Sequence, residues 1–530
     1  MIEFAGGLVD PAKNTYFLRL HNPQRVRDAI PASVQLDQHL VAVPTTPSNA
    51  VLLHRLGIKV PNPIRWKYRW PLSYGRKPFP WQQDTADFCT LNPRCFVFNS
   101  AGTGKTISLL WTYDYLRQSR AVTEPMLVMC PKSCVRSVWV EEAAITVPHL
   151  HTLALVGDGE RRLERIEQDA DIYVTNHHTL LTEGSPLAKR RWGVIVLDEA
   201  TVAQDMSTRM WKALMHILEE NPYACVYLLT ATPCSQSAVQ AYGLTKLVVP
   251  GRVPFTLTVW RQSTQYKIQK RDPATGKPKF TFWTDRPDST AKVFELLQPA
   301  IRVAKQDVMQ WLPPITFQNL DVEVEPQTKV IYEQMRKDGL VMLADTTITS
   351  VHAASQANKL LQISSGILIG NDGTVRLNIK SRLAVLRECI ETSDSKTIVA
   401  IPFTEALNAV AEEVAKYRTV AIIDGSVSAN QRAAIVNAFQ NEEHPQVLIG
   451  NPKAMGHGLT LTEASTTVWW SPIYSQEVHK QLCERTDRPG QKHSQRVIYL
   501  LGTPAERYVA GTLRELGAKQ LDLLSMYNAQ

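Results

Sequence analysis

The sequence predicts an α/β fold: two doubly wound lobes, a helical insertion between them and a small N-terminal appendage. Two observations carry this. From residue 95 onward, short apolar runs rich in β-branched and aromatic residues alternate with longer helical stretches. The alternation breaks near residue 250 and resumes near 397. Apolar runs without polar alternation suit strands covered on both faces, as in a parallel sheet between helix layers.

In the first lobe the runs are CFVFN (95–99), MLVMC (126–130), DIYVT (171–175), VIVLD (194–198) and CVYLLT (225–230). In the second they are TIVAIPF (397–403), TVAIID (419–424), QVLIGN (446–451), TTVWWS (466–471) and RVIYLL (496–501). Leu407, Val410, Ala411 and Val414 recur at helical spacing, which predicts an amphipathic crossover helix between the first two of these. A chain of 530 residues exceeds one ordinary domain. The expected division is an accessory region (1–78), a first lobe with the start of the insertion (79–300) and a second lobe (301–530). The insertion, roughly 250–380, carries the basic, hairpin-like QKRDPATGKPKFTFW (269–283) with Lys270, Arg271, Lys277 and Lys279.

The stretch RWKYRWPLSYGRKPF (65–79) holds Arg65, Lys67, Arg69, Arg76 and Lys77 with no acid. As a strand it would place Trp66, Tyr68 and Trp70 on one face and the first three cations on the other. The aromatics are expected to pack on the first lobe. The charges fit either a solvated surface or a phosphate backbone.

An apolar fraction of 44% with 20% charged residues supports large cores and excludes a disordered chain. A net charge of +8 fits a polyanionic partner, and an ordinary enzyme equally. The eight cysteines are scattered; the closest pair is Cys130 and Cys134, without a C-x-x-C. Neither a zinc site nor a disulfide framework is expected. No apolar run is long enough to span a bilayer, and MIEFAGGLVDPAKN lacks the pattern of a secretory signal. A soluble, cytoplasmic protein is the expectation.

The segment FVFNSAGTGKTISLLW (96–111) matches G-x-x-x-x-G-K-[ST], except that Asn99 stands at the first glycine. It follows a strand and opens a helix, the context such a phosphate loop needs. Gly102 and Gly104, flanking Thr103, let backbone N–H groups close around phosphate oxygens. Lys105 supplies charge at the β/γ-phosphates, and Thr106 a ligand for Mg²⁺. The helix N-terminus adds a positive field. VIVLDEAT (194–201) supplies the complement: Asp198 at a strand end for the metal's shell, and Glu199 to take a proton from attacking water. Two acids at the end of a buried strand have no good structural reason, since unpaired buried carboxylates are costly.

These residues resemble superfamily 2 helicases, and more closely the Swi/Snf-type ATPases, whose loop usually reads D-x-M-G-x-G-K-T with a polar residue where Asn99 stands. Other stretches resemble the family in order. FPWQQDTADF (79–88) resembles its adenine-reading Q motif, with Gln82 as the base contact. MLVMCPKSCVRSVWVEE (126–142) resembles motif Ia, which implies that Lys132 and Ser133 touch the nucleic-acid backbone. LLTATPCSQS (228–237) resembles motif III, and MGHGLTLTEAS (455–465), containing Gly458, resembles motif V. QLCERTDRPGQ (481–491) is similar to Q-x-x-x-R-x-x-R-x-G-Q. It implies catalytic roles for Gln481 and for Arg485 and Arg488, the latter two as arginine fingers presented by one helical face.

Two departures stand out. Thr201 replaces the histidine that usually follows D-E-A, and Asp487 and Pro489 flank Arg488 where the family has His and Ile. These departures and the short inserts resemble phage-type or bacterial members. The resemblance implies two RecA-like lobes closing on ATP and Mg²⁺, and an ATP-dependent translocase on duplex or branched DNA, without sequence preference. The alternatives are a strand-separating DNA or RNA helicase, and a nucleotide-gated DNA-binding subunit with slow turnover. A P-loop kinase is excluded, because it would not need the second lobe.

Overall fold

The computed structural model of the protein describes every residue except 72–76, 182–185, 235, 254, 272–277, 346–349, 371–372, 457 and 529–530. The first lobe is a seven-stranded sheet. Its order is Ala300–Ile301, Arg94–Val97, Cys225–Leu229, Val194–Asp198, Met126–Cys130, Ile172–Asn176 and Thr152–Ala154, with every neighbouring pair parallel. Alternate residues of one strand serve two helix layers: Ile195 and Leu197 join one core, Val194 and Val196 the other.

The second lobe repeats the plan with six parallel strands, ordered Ile315–Asp321, Gln495–Leu501, Ala464–Trp469, Lys396–Ala400, Val447–Gly450 and Val420–Ile423. Helix Thr404–Val414 buries Leu407, Val410, Ala411 and Val414, the stripe its spacing predicts. The α/β class and the two doubly wound lobes therefore stand.

The expected boundary at 300/301 does not hold. Ala300 and Ile301 pair beside Phe96 and Val97, so the first lobe runs through them, and the second sheet begins at Ile315. A two-residue strand carries no periodicity by which a sequence could reveal it. The insertion is two pieces rather than one, and is not wholly helical. Helix Leu257–Thr264, the antiparallel hairpin Gln265–Arg271/Pro278–Asp285 and helix Ser289–Leu296 precede the last strand of the first sheet. Helices Pro326–Asp345 and Ser350–Ser364 and the hairpin Ile367–Gly370/Gly373–Arg376 follow the first strand of the second sheet. Helix Pro504–Asn528 starts on the second lobe, where Ala510 joins the core, and returns to the first. There Leu523, Leu524 and Tyr527 enter the core, with the Tyr527 ring 5.2 Å from Phe98 and 4.7 Å from Phe294.

The appendage is a five-stranded antiparallel sheet with its own core. Val9, Tyr16, Leu18, Val41 and Val43 face helices Gln24–Ala29 and Pro47–Arg55. Residues 65–70 are not a strand, because Pro63 opens a helical turn, Ile64–Lys67. Two of the three aromatics nonetheless pack on the first lobe, whereas Trp66 joins the appendage's own core, its ring 6.5 Å from that of Tyr16. Trp70 lies 5.4 Å from Trp111, Tyr68 lies 5.7 Å from Tyr115, and Tyr68 OH donates to Asp114 Oδ2 at 2.6 Å. Two of the cations are used internally. Arg65 pairs with Asp84 and Asp87 at 2.5 Å, and Lys67 donates to the Thr45 carbonyl. Arg69 and Lys77 are exposed, and Arg76 lies outside the described residues.

Candidate nucleotide cleft

Asn99, the misfit in the phosphate loop, is a structural clip. It is 1% exposed. Its Nδ2 donates to Thr85 Oγ1 at 2.8 Å, and its Oδ1 accepts from Val303 N–H at 2.9 Å. The side chain thus ties the loop to helix Pro80–Leu91 and to the chain leaving the sheet, which a glycine cannot do. Beyond it, Gly102 and Gly104 adopt φ of 80° and 89°, in the left-handed region that favours glycine. A Cβ on Gly104 would sit 2.2 Å from Gln82 Nε2, so the residue must be glycine if Gln82 is to lie against the loop. Gln82 Oε1 accepts from Phe79 N–H, and Trp81 Nε1 donates to the Thr103 carbonyl at 3.1 Å. Thr103 is buried, and its hydroxyl donates to the Ser100 carbonyl. Lys105 and Thr106 open helix Lys105–Gln118. Lys105 Nζ donates to the Asn99 and Ser100 carbonyls, at 2.9 and 3.3 Å. Burial lowers its pKa, opposed by Glu199, Asp198 and Glu484.

Asp198 ends its strand with Oδ2 accepting from Trp139 Nε1 at 3.0 Å. Glu199 has φ 52°, a conformation costly for a residue with a side chain and concentrated at functional positions. Burial, then the Asp198 charge, pushes its carboxyl up to about 7, with Lys105 opposing. A carboxylate that holds a proton near neutrality suits a general base.

The second lobe closes over this face. A Cβ on Gly102 would meet Arg488 Cγ at 3.7 Å. Arg488 does not lie on the helix of Arg485: Gln476–Thr486 ends first, at Asp487 and Pro489, so the two arginines do not share one helical face as expected. Arg488 donates to the Glu484 carbonyl and Thr460 Oγ1, and burial lowers its pKa to about 9. Arg485, 5% exposed, donates through Nε to the Gln481 carbonyl. Gln481 Nε2 donates to Glu477 Oε1 at 3.2 Å. Gly458, with φ 69°, abuts the Ser133 backbone and the Cys134 thiol across the cleft rather than the phosphate loop. Lys132 is exposed beside it. Lys277 lies outside the described residues, and for Lys270, Arg271 and Lys279 only the hairpin backbone is described.

Sequence reasoning missed the bridges between lobes. Thr201 Oγ1 donates to Glu477 Oε1 at 2.6 Å, and Lys480 Nζ to the Ala231 carbonyl at 3.0 Å. Lys305, in the segment joining the lobes, pairs with Asp487 at 2.6 Å while its N–H donates to Ser100 Oγ. No local signal marks such pairs. Only the placement of Glu477 and Lys480 on the helix that carries Gln481 and Arg485 hints at them.

The left-handed glycines, the lysine and hydroxyl at the helix start and the carboxylates opposite form a donor set that fits a nucleotide's phosphates and a Mg²⁺ ion. Family models match residues 69–366 to the SNF2-related domain and 381–490 to the helicase conserved C-terminal domain. The ISWI chromatin-remodeling complex ATPase ISW1 of Saccharomyces cerevisiae is 22% identical over 424 residues, covering 76% of this chain and 36% of that protein. The mouse DNA annealing helicase and endonuclease ZRANB3 is 25% identical over 449 residues, covering 80% and 38%. The chain thus spans under two fifths of the length of these curated relatives. The Sulfolobus solfataricus SWI2/SNF2 ATPase core in complex with dsDNA is similar at 18% identity and a TM-score of 0.39, over 84% of this chain and 96% of that one.

Proposed function

The chain belongs to the SNF2-related family, and from that membership and the geometry of its cleft we propose that it is a DNA-stimulated ATPase that moves along duplex or branched DNA. The observation that carries the reading is convergence. Gly102 of the first lobe meets Arg488 of the second, Thr201 meets Glu477, and Glu199 feels the charges of Glu477 and Arg485, with Asp198 bonded to the Glu199 N–H and Gln481 to Glu477.

In this reading Gln82 reads the base, and Lys105 and the loop N–H groups hold the phosphates. Thr106 and Asp198 hold Mg²⁺, which when bound neutralises charge on the phosphoryl oxygens. Glu199 takes the proton of the attacking water. Arg485 and Arg488 meet the charge that develops on the transferring group, so the seam is complete only when the lobes are shut. Gly458 joins the seam from the second lobe. Lys132 and Ser133, with Lys270, Arg271, Lys277 and Lys279 of the hairpin, contact the phosphate backbone. Backbone contacts carry no sequence information, which a stepping motor requires.

The deciding experiment is ATP turnover without nucleic acid and with single-stranded DNA, duplex, fork and RNA, beside triplex displacement. We expect duplex or fork to stimulate turnover and the third strand to be displaced without unwinding. Lys105→Ala abolishes nucleotide binding, whereas Glu199→Gln keeps binding and loses turnover by about 10²–10⁴-fold. Efficient unwinding of a plain fork with no triplex displacement would replace this reading with that of a strand-separating helicase.

A further inference from the structure

Glu484 is an acid with no role in the chemistry above, yet it stands among the cations that carry that chemistry. On helix Gln476–Thr486 it lies one turn after Lys480 and directly before Arg485. Arg488 Nε donates to its carbonyl at 3.1 Å, and Arg488 is the side chain that lies beside Gly102 of the phosphate loop. The Glu484 side chain is only 13% exposed. Among the described residues its one ion pair is with Lys480, at 3.9 Å, and its carboxylate accepts no hydrogen bond. Burial alone would raise its pKa, but the charges of Lys480, Lys305, Lys105 and Arg485 outweigh burial and hold the carboxyl below its ordinary value. Arg302 and Arg488 feel its charge as well.

These cations come from both sides of the seam. Lys105 opens a first-lobe helix, and Arg302 and Lys305 follow the last strand of that lobe. Lys480, Arg485 and Arg488 belong to the second. Gathered in one place they repel one another, and the other acids nearby are engaged. Asp487 pairs with Lys305, Glu477 accepts from Thr201 and Gln481, and Asp198 accepts from Trp139 and from Glu199 N–H. Glu199, with its carboxyl pushed up to about 7, is only partly charged near neutrality. Glu484 alone does not satisfy the set, since Arg302 Nε is buried without a hydrogen-bond partner among the described residues. An anion with one long ion pair and no hydrogen bond is held by charge rather than by geometry, and can be displaced. A phosphate brings more acceptor oxygens to the same donors than one carboxylate can.

We propose that Glu484 stands in for the terminal phosphate of the nucleotide: in the empty cleft it holds the cations of the two lobes together, and ATP must displace it to bind. The inference rests on the ATP-cleft reading above and adds a residue that sets nucleotide preference. A carboxylate and a γ-phosphate among the same cations repel each other. ADP ends short of that position and meets less opposition. The residue therefore biases the cleft against the triphosphate and keeps the lobes together when ATP is scarce.

The test is calorimetric binding of ADP and of AMP-PNP, a non-hydrolysable ATP analogue, to the full chain with Mg²⁺. Beside it, energy transfer between dyes on the two lobes is read without nucleotide, and thermal melting checks folding. Glu484→Gln keeps the shape and removes the charge. It should tighten AMP-PNP about 10- to 100-fold and ADP much less, and it should lower transfer in the empty protein. Glu484→Asp keeps the charge and should stay close to the parent. Equal gains for the two nucleotides, or no gain for AMP-PNP, overturn the proposal, as does unchanged transfer in the empty protein. A parent that binds no nucleotide sinks the ATPase reading instead, and transfer in the empty protein still decides whether Glu484 joins the lobes.

Discussion

Thr201 and Glu477, 276 residues apart in sequence, share a 2.6 Å hydrogen bond that joins the two lobes. Thr201 occupies the place of the family's usual histidine, and a second-lobe carboxylate has come to meet its hydroxyl. Hydrogen bonds to charged groups contribute about 1.5–3 kcal/mol. Thr201→Val or Glu477→Ala should therefore open the nucleotide-free cleft by about 10- to 100-fold, read as loss of energy transfer between dyes on the lobes. Glu477→Gln retains an acceptor and should lose less. Unchanged transfer in Thr201→Val would mean that the contact does not hold the seam.

Asn99→Gly restores the common loop pattern, yet we expect it to harm the protein. It deletes the bond to Thr85 and leaves the Val303 N–H without its acceptor, a cost of about 1–3 kcal/mol for the orphaned group. A lower melting temperature and weaker nucleotide binding check this. A more stable variant would contradict the clip.

Arg485→Ala and Arg488→Ala should each lower turnover by about 10³-fold, with a much smaller change in ATP affinity, because a finger acts on developing charge. Single-turnover kinetics separate the two effects. If affinity falls as far as turnover, these side chains hold the ground state only.

His479 gives the second lobe an acid sensitivity. Its Nε2 lies 2.5 Å from Tyr499 OH, its ring lies 4.9 Å from that of Trp469, and burial lowers its pKa to about 4. The unfolded chain takes up the proton near pH 6.5 and the folded chain only near 4, so stability falls as pH drops through that window. Relative to pH 7.5, the parent should lose up to about 2 kcal/mol more at pH 5 than His479→Gln. Denaturant melts of both at the two pH values measure the difference, and parallel losses would assign the acid response elsewhere.

What the sequence disclosed follows from range. VIVLD and MLVMC read correctly as strands because burial on both faces leaves an unbroken apolar run. The phosphate loop and its acids were legible because their chemistry is packed into a few consecutive residues. Ala300–Ile301 and Thr152–Ala154 were missed because two or three residues at a sheet edge carry no pattern. Trp66, Tyr68 and Trp70 alternate like a strand, yet Pro63 starts a helical turn there, and local backbone chemistry outweighed alternation. The partner of Thr201 was out of reach, since no local rule links positions so far apart.

The helix Pro504–Asn528 gives the molecule a mechanical property. It anchors Ala510 in one lobe and Tyr527 in the other, while the segment between Ile301 and Ile315 joins the same lobes elsewhere. A door hung at two points swings about the line through them and cannot twist or drift from its frame. Two such attachments predict that, when the lobes part, they do so about one axis, and that closing brings Arg488 back to the same spot beside Gly102.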